Sequence, residues 1–440
     1  MAEVQISNYI IKIIGLLGDI NPKKDFSLFL KSGYKKDLFP VDEFGKSDTQ
    51  KEQFLRDYFY PNFRKIMFLD DTQSGTYRFI KHGFDSPGLL YPQKFPEEKK
   101  IPYHLSILSS EIFVFEENFA FFSVSIKINP IAGDTLLSTI DLSNLLSVVR
   151  NFNTSTTDNI EWHQWLSKNV LCNMPLRGAG VKADEYSGSK FKLFTVIDLK
   201  DQIDDRAHLL YDLATSSPLG SASGKTFLSP DPNYYQELFQ NRIAVFTNWE
   251  ALALFDSMTC VGKGQITKQS QYDTWDQTYF RIYMYRLFFK YTLYKYNSAI
   301  HSDEEDTVKL RDQFEKFLNR YNISHISFNF LANEIFKKVG SALELESELV
   351  SFRETINNLS KNIQEEKQAR TNLLLQAVTV LTSITSIGPI FEVLSQFEQY
   401  LGWSDLKFYS ILGILLVGLG LGVLYFLIPE KVNRIWKMRK

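Results

Sequence analysis

Cysteine is nearly absent, with Cys172 and Cys260 the only two in 440 residues. So few thiols, so far apart, exclude a disulfide framework and fit a reducing cytosol in which both are ordinary buried side chains. Histidine is also sparse. His82, His104, His163, His208, His301 and His325 are scattered, and no pair has metal-ligand spacing. Neither a nucleophile elbow nor a His-Glu-x-x-His run occurs. The expectation is therefore not an enzyme, with no cofactor required and a divalent cation (Mg2+) as the one candidate. A charge excess is missing too. The formal net charge of -2 argues against a strong electrostatic footprint, so no direct nucleic-acid partner is expected. The start, Met1-Ala2-Glu3-Val4, lacks a basic n-region, so a signal peptide is not expected. Internal repeats and long low-complexity linkers are absent as well.

What is present is a large stock of core material. The hydrophobic fraction is 44%, and 36 Phe and 22 Tyr bring the aromatic fraction to 15%, enough for a sizeable buried core. Residues 1–275 read as a mixed α/β domain. Phe122, Val124, Ile126 and Ile128 alternate with Ser123, Ser125 and Lys127, a clean strand period that follows an acidic turn at 116–118. Further strands are expected at 191–199, 242–247 and 251–255, with helices at 137–149 and 233–241. The apolar stretch 10–20, interrupted by Lys12 and Asp19, reads as either an amphipathic helix or a strand. A helical hairpin over 276–330 follows. Its first helix has a dense aromatic face with Arg281, Arg286, Lys290 and Lys295 as solvated positions, and its second opens on the acidic cluster 303–306.

The C-terminal quarter carries a heptad pattern and then two charge-free runs. Leu345, Leu349, Phe352, Ile356, Leu359 and Ile363 alternate steps of four and three, so 331–372 reads as one long stalk helix. Residues 373–391, LLLQAVTVLTSITSIGPIF, and 408–428, FYSILGILLVGLGLGVLYFLI, are the two runs. A bilayer core of about 30 Å needs about 20 apolar helical residues, so both are expected to be transmembrane helices. Gln376, Thr379, Ser383 and Ser386 fall on one helical face of the first, as a pore lining or a helix-packing seam. The loop 392–407, with Glu392 and Glu398, would form the outer mouth. The basic tail 429–440 would be cytoplasmic by the positive-inside rule, placing both termini in the cytoplasm of a multi-pass inner-membrane protein.

Two Gly-rich loops are candidate ligand sites. One contains Gly220, Gly224, Lys225 and Thr226, one residue short of a phosphate-loop spacing, and no helix is expected after it. The other, 176–190, contains Arg177 and Lys182. Each can hold a phosphate or be a plain surface loop.

The layout resembles the CorA-like family of cation channels and transporters. The resemblance rests on the order of α/β domain, stalk, two spans and basic tail, on Val380-Leu381-Thr382 within the first span, and on Trp403 in the loop. It implies an α+β membrane protein with a C-terminal two-helix transmembrane hairpin, forming a homo-oligomer, usually a pentamer, in the lipid bilayer. The family's Gly-Met-Asn tripeptide is absent; 392–398 reads EVLSQFE. That departure is similar to the CorA-like proteins of type III CRISPR antiviral defence. The implied function is a channel gated by a nucleotide second messenger, an S-adenosylmethionine–AMP conjugate. The alternatives are a divalent cation (Mg2+ or Co2+) transporter and a membrane-tethered enzyme acting on a nucleotide.

Overall fold

The computed structural model describes residues 4–36, 48–68, 76–85, 87–90, 102–115, 119–129, 137–174, 176, 190–226, 228–301 and 307–385, with isolated positions beyond. They form two units, Met1–Arg353 and Glu354–Lys440. In the first, β1 (Ile6–Asp19), α1 (Pro22–Lys31), β2 (Lys35–Lys36), α2 (Asp48–Tyr58), α3 (Pro61–Met67), β3 (Tyr77–His82), β4 (Gly88–Leu90), β5 (Pro102–Val114) and β6 (Phe119–Asn129) come first. Next are α4 (Thr139–Arg150), α5 (Trp162–Asn169), β7 (Lys192–Leu199), α6 (Arg206–Thr215), α7 (Pro232–Phe239), β8 (Arg242–Ile243), β9 (Trp249–Ala253) and β10 (Ser257–Gly262). A rod of α8 (Gln269–Asp273), a π-helical turn (Thr274–Tyr279) and α9 (Phe280–His301) follows, then α10 (Thr307–Tyr321) and α11 (Phe330–Ala342). The helix α12 (Leu345–Thr385) begins in the first unit and continues into the second.

The strands make one mixed sheet in the order β2-β3-β5-β6-β1-β7-β10-β9-β8, with β4 on β5. Among its described pairs only β7 and β10 run parallel, and the chain between them passes through α6, α7, β8 and β9. Directly opposed residues share a face. One face, with Ile11, Ile13, Phe122, Val124, Leu193 and Val261, packs on Leu142, Leu146, Trp162, Leu166, Leu209 and Leu213 of α4, α5 and α6. The other meets α9: Phe280 lies 6.0 Å from Phe113 and 5.3 Å from Phe194, and Tyr291 lies 5.5 Å from Phe121. The helix α9 is apolar almost all round and correspondingly buried. Arg281 and Lys290, expected on a solvated side, are each 1% exposed.

The stretch 10–20 resolves as strand. It is the central strand β1, and Lys12 sits fully buried within it. The strand expected at 242–247 is only the two-residue β8. The stalk is two helices. They break at Leu343 and Glu344, where Glu344 takes a left-handed φ of 55°. The buried heptad positions Leu345, Leu349 and Phe352 open the second helix.

The membrane expectation is corrected. Among the described residues no helix is long and apolar enough to cross a membrane. The helix α12 does continue past Leu373, but it carries Lys361, Glu365, Glu366, Lys367 and Arg370 just before that point. Its charge-free part, within the described residues, runs over 371–385, roughly 22 Å against the 30 Å of a bilayer core. The two-helix transmembrane hairpin therefore gives way to an α+β fold built on a ten-stranded mixed sheet. The assignment as a multi-pass inner-membrane protein with cytoplasmic termini falls on the same finding. Nearly all of 408–428, the tail 429–440, Trp403, Ser386 and Glu398 lie outside the described residues, as do the acidic cluster 303–306 and the turn 116–118.

Candidate functional site

Of the ligand-loop residues, Arg177 and Lys182 lie outside the described set. The other loop is built around a carboxylate. Asp212, buried at the end of α6, accepts from Gly220 N at 2.7 Å and Ala222 N at 2.8 Å. Gly220 adopts φ 93°, and Lys225 N returns to Gly220 O at 3.0 Å. Thr226 Oγ1 meets Ser221 Oγ at 2.8 Å. The amides that a phosphate loop would offer to a ligand thus already point at Asp212, while Gly224 and Lys225 are exposed. Burial pushes the Asp212 carboxyl up, against the pull of those two amides.

Of the stripe residues, Gln376, Thr379 and Ser383 share α12, and Thr379 Oγ1 donates to Leu375 O at 2.7 Å. Glu392 is exposed and helical.

A cavity of about 170 Å³ opens beside the C-terminal end of β10. In α/β sheets that is where ligands settle, outside the carboxyl ends of parallel strands. Its walls are Phe246, Asn248 and Trp249 at the start of β9, Gln265 in the loop after β10, and Gln271, Thr274, Trp275 and Tyr279 on the α8–π rod. Leu331 of α11 completes it. None of these side chains is charged. Trp275 stands edge-on to both Trp249, at 5.3 Å and 82°, and Tyr279, at 4.8 Å and 81°.

Local chemistry fixes these walls. Gly262, opposite Trp249 in the sheet, leaves no room for a side chain: a Cβ there would lie 2.3 Å from Trp249 Cβ and 2.8 Å from Asn248 O. The buried Asp198, near the end of β7, accepts from Gln265 N at 2.9 Å, Ile266 N at 3.1 Å and Thr267 Oγ1 at 3.2 Å. Gln265 is itself held by Ile197 O and Cys260 Sγ, at 2.9 Å and 3.0 Å. Asn248 donates Nδ2 to Lys263 O, and Gln271 Oε1 accepts from Lys268 N, each at 3.2 Å. Asn248 Oδ1 and Gln271 Nε2, one acceptor and one donor, stay without a protein partner among the described residues. A flat, uncharged ring system with a donor–acceptor edge fits such walls. The volume is below the 300 Å³ or so of pockets for drug-sized ligands, so it takes one ring system and not a whole dinucleotide.

Beneath the π turn lies a buried ionic network. Lys12 Nζ is 2.8 Å from Glu111 Oε1 and 3.0 Å from Asp276 Oδ1, and Arg78 Nε is 2.8 Å from Glu111 Oε2. The ammonium also lies 4.1 Å from the Phe280 ring centroid. Burial alone would raise the Glu111 carboxyl, but the Arg78 and Lys12 cations beside it hold it at about 2. A second cluster, at the opposite end of the parallel pair, joins Asp256 to Lys192 and Arg150. Among the described residues no group of three or more His, Cys, Asp or Glu could hold a metal ion.

Sequence reasoning missed Trp249, Gln271, Trp275 and Tyr279, which form no motif. It also missed Lys12, although a signal was there: in period two, Lys12 shares its face with Ile10 and Ile14, so the face is buried and the lysine needs a partner. The chain matches no protein-family model, no curated protein and no solved structure.

Proposed function

We propose that the chain is a small-ligand sensor that binds a nucleotide second messenger by its base, in the cavity walled by Trp249 and Trp275, and does not turn it over. One observation carries the reading: an aromatic cavity without charge, offering one free amide acceptor and one free amide donor, at the carboxyl end of the parallel strand pair. Aromatic faces stack a base with about 1–3 kcal/mol. An amide acceptor and donor complement the N6–H and ring-nitrogen edge of adenine. The S-adenosylmethionine–AMP conjugate is therefore the first ligand to test and AMP the second; a place in type III CRISPR defence rests on the family resemblance. Self-association and a pentamer rest on the resemblance alone, because the α12 heptad positions Leu345, Leu349, Phe352 and Ile356 are buried within the chain. The membrane half of the channel expectation is not carried forward.

Calorimetric titration tests the reading. The wild type binds the conjugate or AMP, and Trp275→Ala weakens that binding at least tenfold with the far-ultraviolet spectrum retained. Failure to bind any adenine nucleotide refutes it.

A further inference from the structure

We infer that the π-helical turn is a two-register switch that couples the cavity to the first turn of α12; this rests on the cavity being the ligand site. A π-helical turn is rare, well under 1% of residues, and such turns concentrate at functional sites. Here the same six residues have two tasks. Thr274, Trp275 and Tyr279 wall the cavity, while Asp276 reaches the buried Lys12. Lys12 also donates to Asp276 O at 3.3 Å. The flanks are ordinary helix, with φ/ψ of −61°/−35° at Asp273 and −59°/−42° at Phe280, so the wide turn is confined to this segment.

Closing it to α-helical bonding turns one part of the rod against the other by about 100° and advances it about 1.5 Å. That movement takes either Asp276 off Lys12 or Trp275 out of the cavity wall. The wide register is thus held by both anchors, and a ring in the cavity adds a third. Downstream, α9 is clamped to the elements that follow. Arg286 Nε donates to Phe336 O of α11 at 3.1 Å. Lys290 Nζ donates to Leu343 O at 2.7 Å and pairs with Glu348 in the first turn of α12. Lys290 is about 16 Å along the rod from Tyr279. Its partner Leu343 is in the joint where Glu344 takes the left-handed conformation. A change of register therefore pulls on the α11–α12 joint, and the joint acts back on the cavity by the same free energy.

Glu348→Gln removes the ion pair of the far clamp at a partly exposed side chain without touching the cavity. The switch predicts that AMP binds this variant at least fivefold more weakly than the wild type. Glu354→Gln, an exposed position with no part in the clamp, binds as the wild type. In the ligand-free protein, amide hydrogen exchange across 276–280 is at least tenfold faster in Glu348→Gln and unchanged in Glu354→Gln. Equal AMP affinity in Glu348→Gln, or unchanged exchange across 276–280, overturns the switch. If the wild type binds neither AMP nor any other adenine nucleotide, the ligand reading fails in the titration, and the exchange experiment still decides whether the coupling exists.

Discussion

Replacing Lys12 with methionine removes the charge at the centre of the buried network and keeps the bulk of the side chain. The thioether can still pack against Phe280, whose ring now lies 4.1 Å from the ammonium, so the substitution isolates the ionic contribution. Glu111 keeps Arg78 at 2.8 Å, while Asp276, mostly buried, loses its only cation among the described ion pairs. Removing one partner of a buried pair costs about 3–5 kcal/mol, most of it from the charge left behind. For a unit of this size, at about 1.3 °C per kcal/mol, that lowers Tm by about 4–7 °C. Differential scanning fluorimetry reads the shift. The double variant Lys12→Met, Asp276→Asn should recover at least half of the loss, because the orphaned carboxylate is gone. A single-variant shift under about 2 °C, or no recovery in the double variant, refutes the assignment of Asp276 to Lys12.

Glu111 makes the network sensitive to acid. Its carboxyl is held at about 2 in the fold against 4.5 when unperturbed. Its contribution is therefore complete above pH 4.5 and is lost as pH falls toward 2; denaturant midpoints across that window check it. Gly262→Ala pushes a Cβ into Trp249 and the Asn248 carbonyl, and should cost about 1–3 kcal/mol in urea unfolding and weaken AMP binding. Asp212→Ala leaves the Gly220 and Ala222 amides without their acceptor. It should cost about 2–3 kcal/mol and open the loop to limited proteolysis, with AMP affinity within twofold of wild type. Burial pushes the Cys260 thiol well up, so it should resist iodoacetamide at pH 8 until the protein is unfolded.

Period-two alternation found β6 in the sequence, and the heptads found the opening of α12, because both report burial of one face directly. The charge-free run from Leu373 was misleading as a span. The run 373–391 has the apolar length of a span, whereas within the described residues α12 carries it only as far as Thr385, directly after a charged stretch. The break at Leu343 and Glu344 had no Gly or Pro to announce it; Glu344 takes the left-handed conformation, and Lys290 donates to the carbonyl of Leu343 beside it. The cavity was the least legible part. Its walls come from β9, the loop after β10, the π turn and α11, and only the sheet register brings them together. The Gly-rich loop, by contrast, was visible in the sequence, yet its amides are turned onto Asp212, an acceptor that spacing alone cannot reveal.

The most direct measurement is hydrogen exchange of the full chain with and without a saturating adenine nucleotide, the S-adenosylmethionine–AMP conjugate first. Binding at the cavity predicts slowed exchange across 246–249 and 265–279 and no change across 220–226. Protection confined to 220–226, or absent throughout while calorimetry reports binding, contradicts the assignment of the ligand to the cavity beside β10.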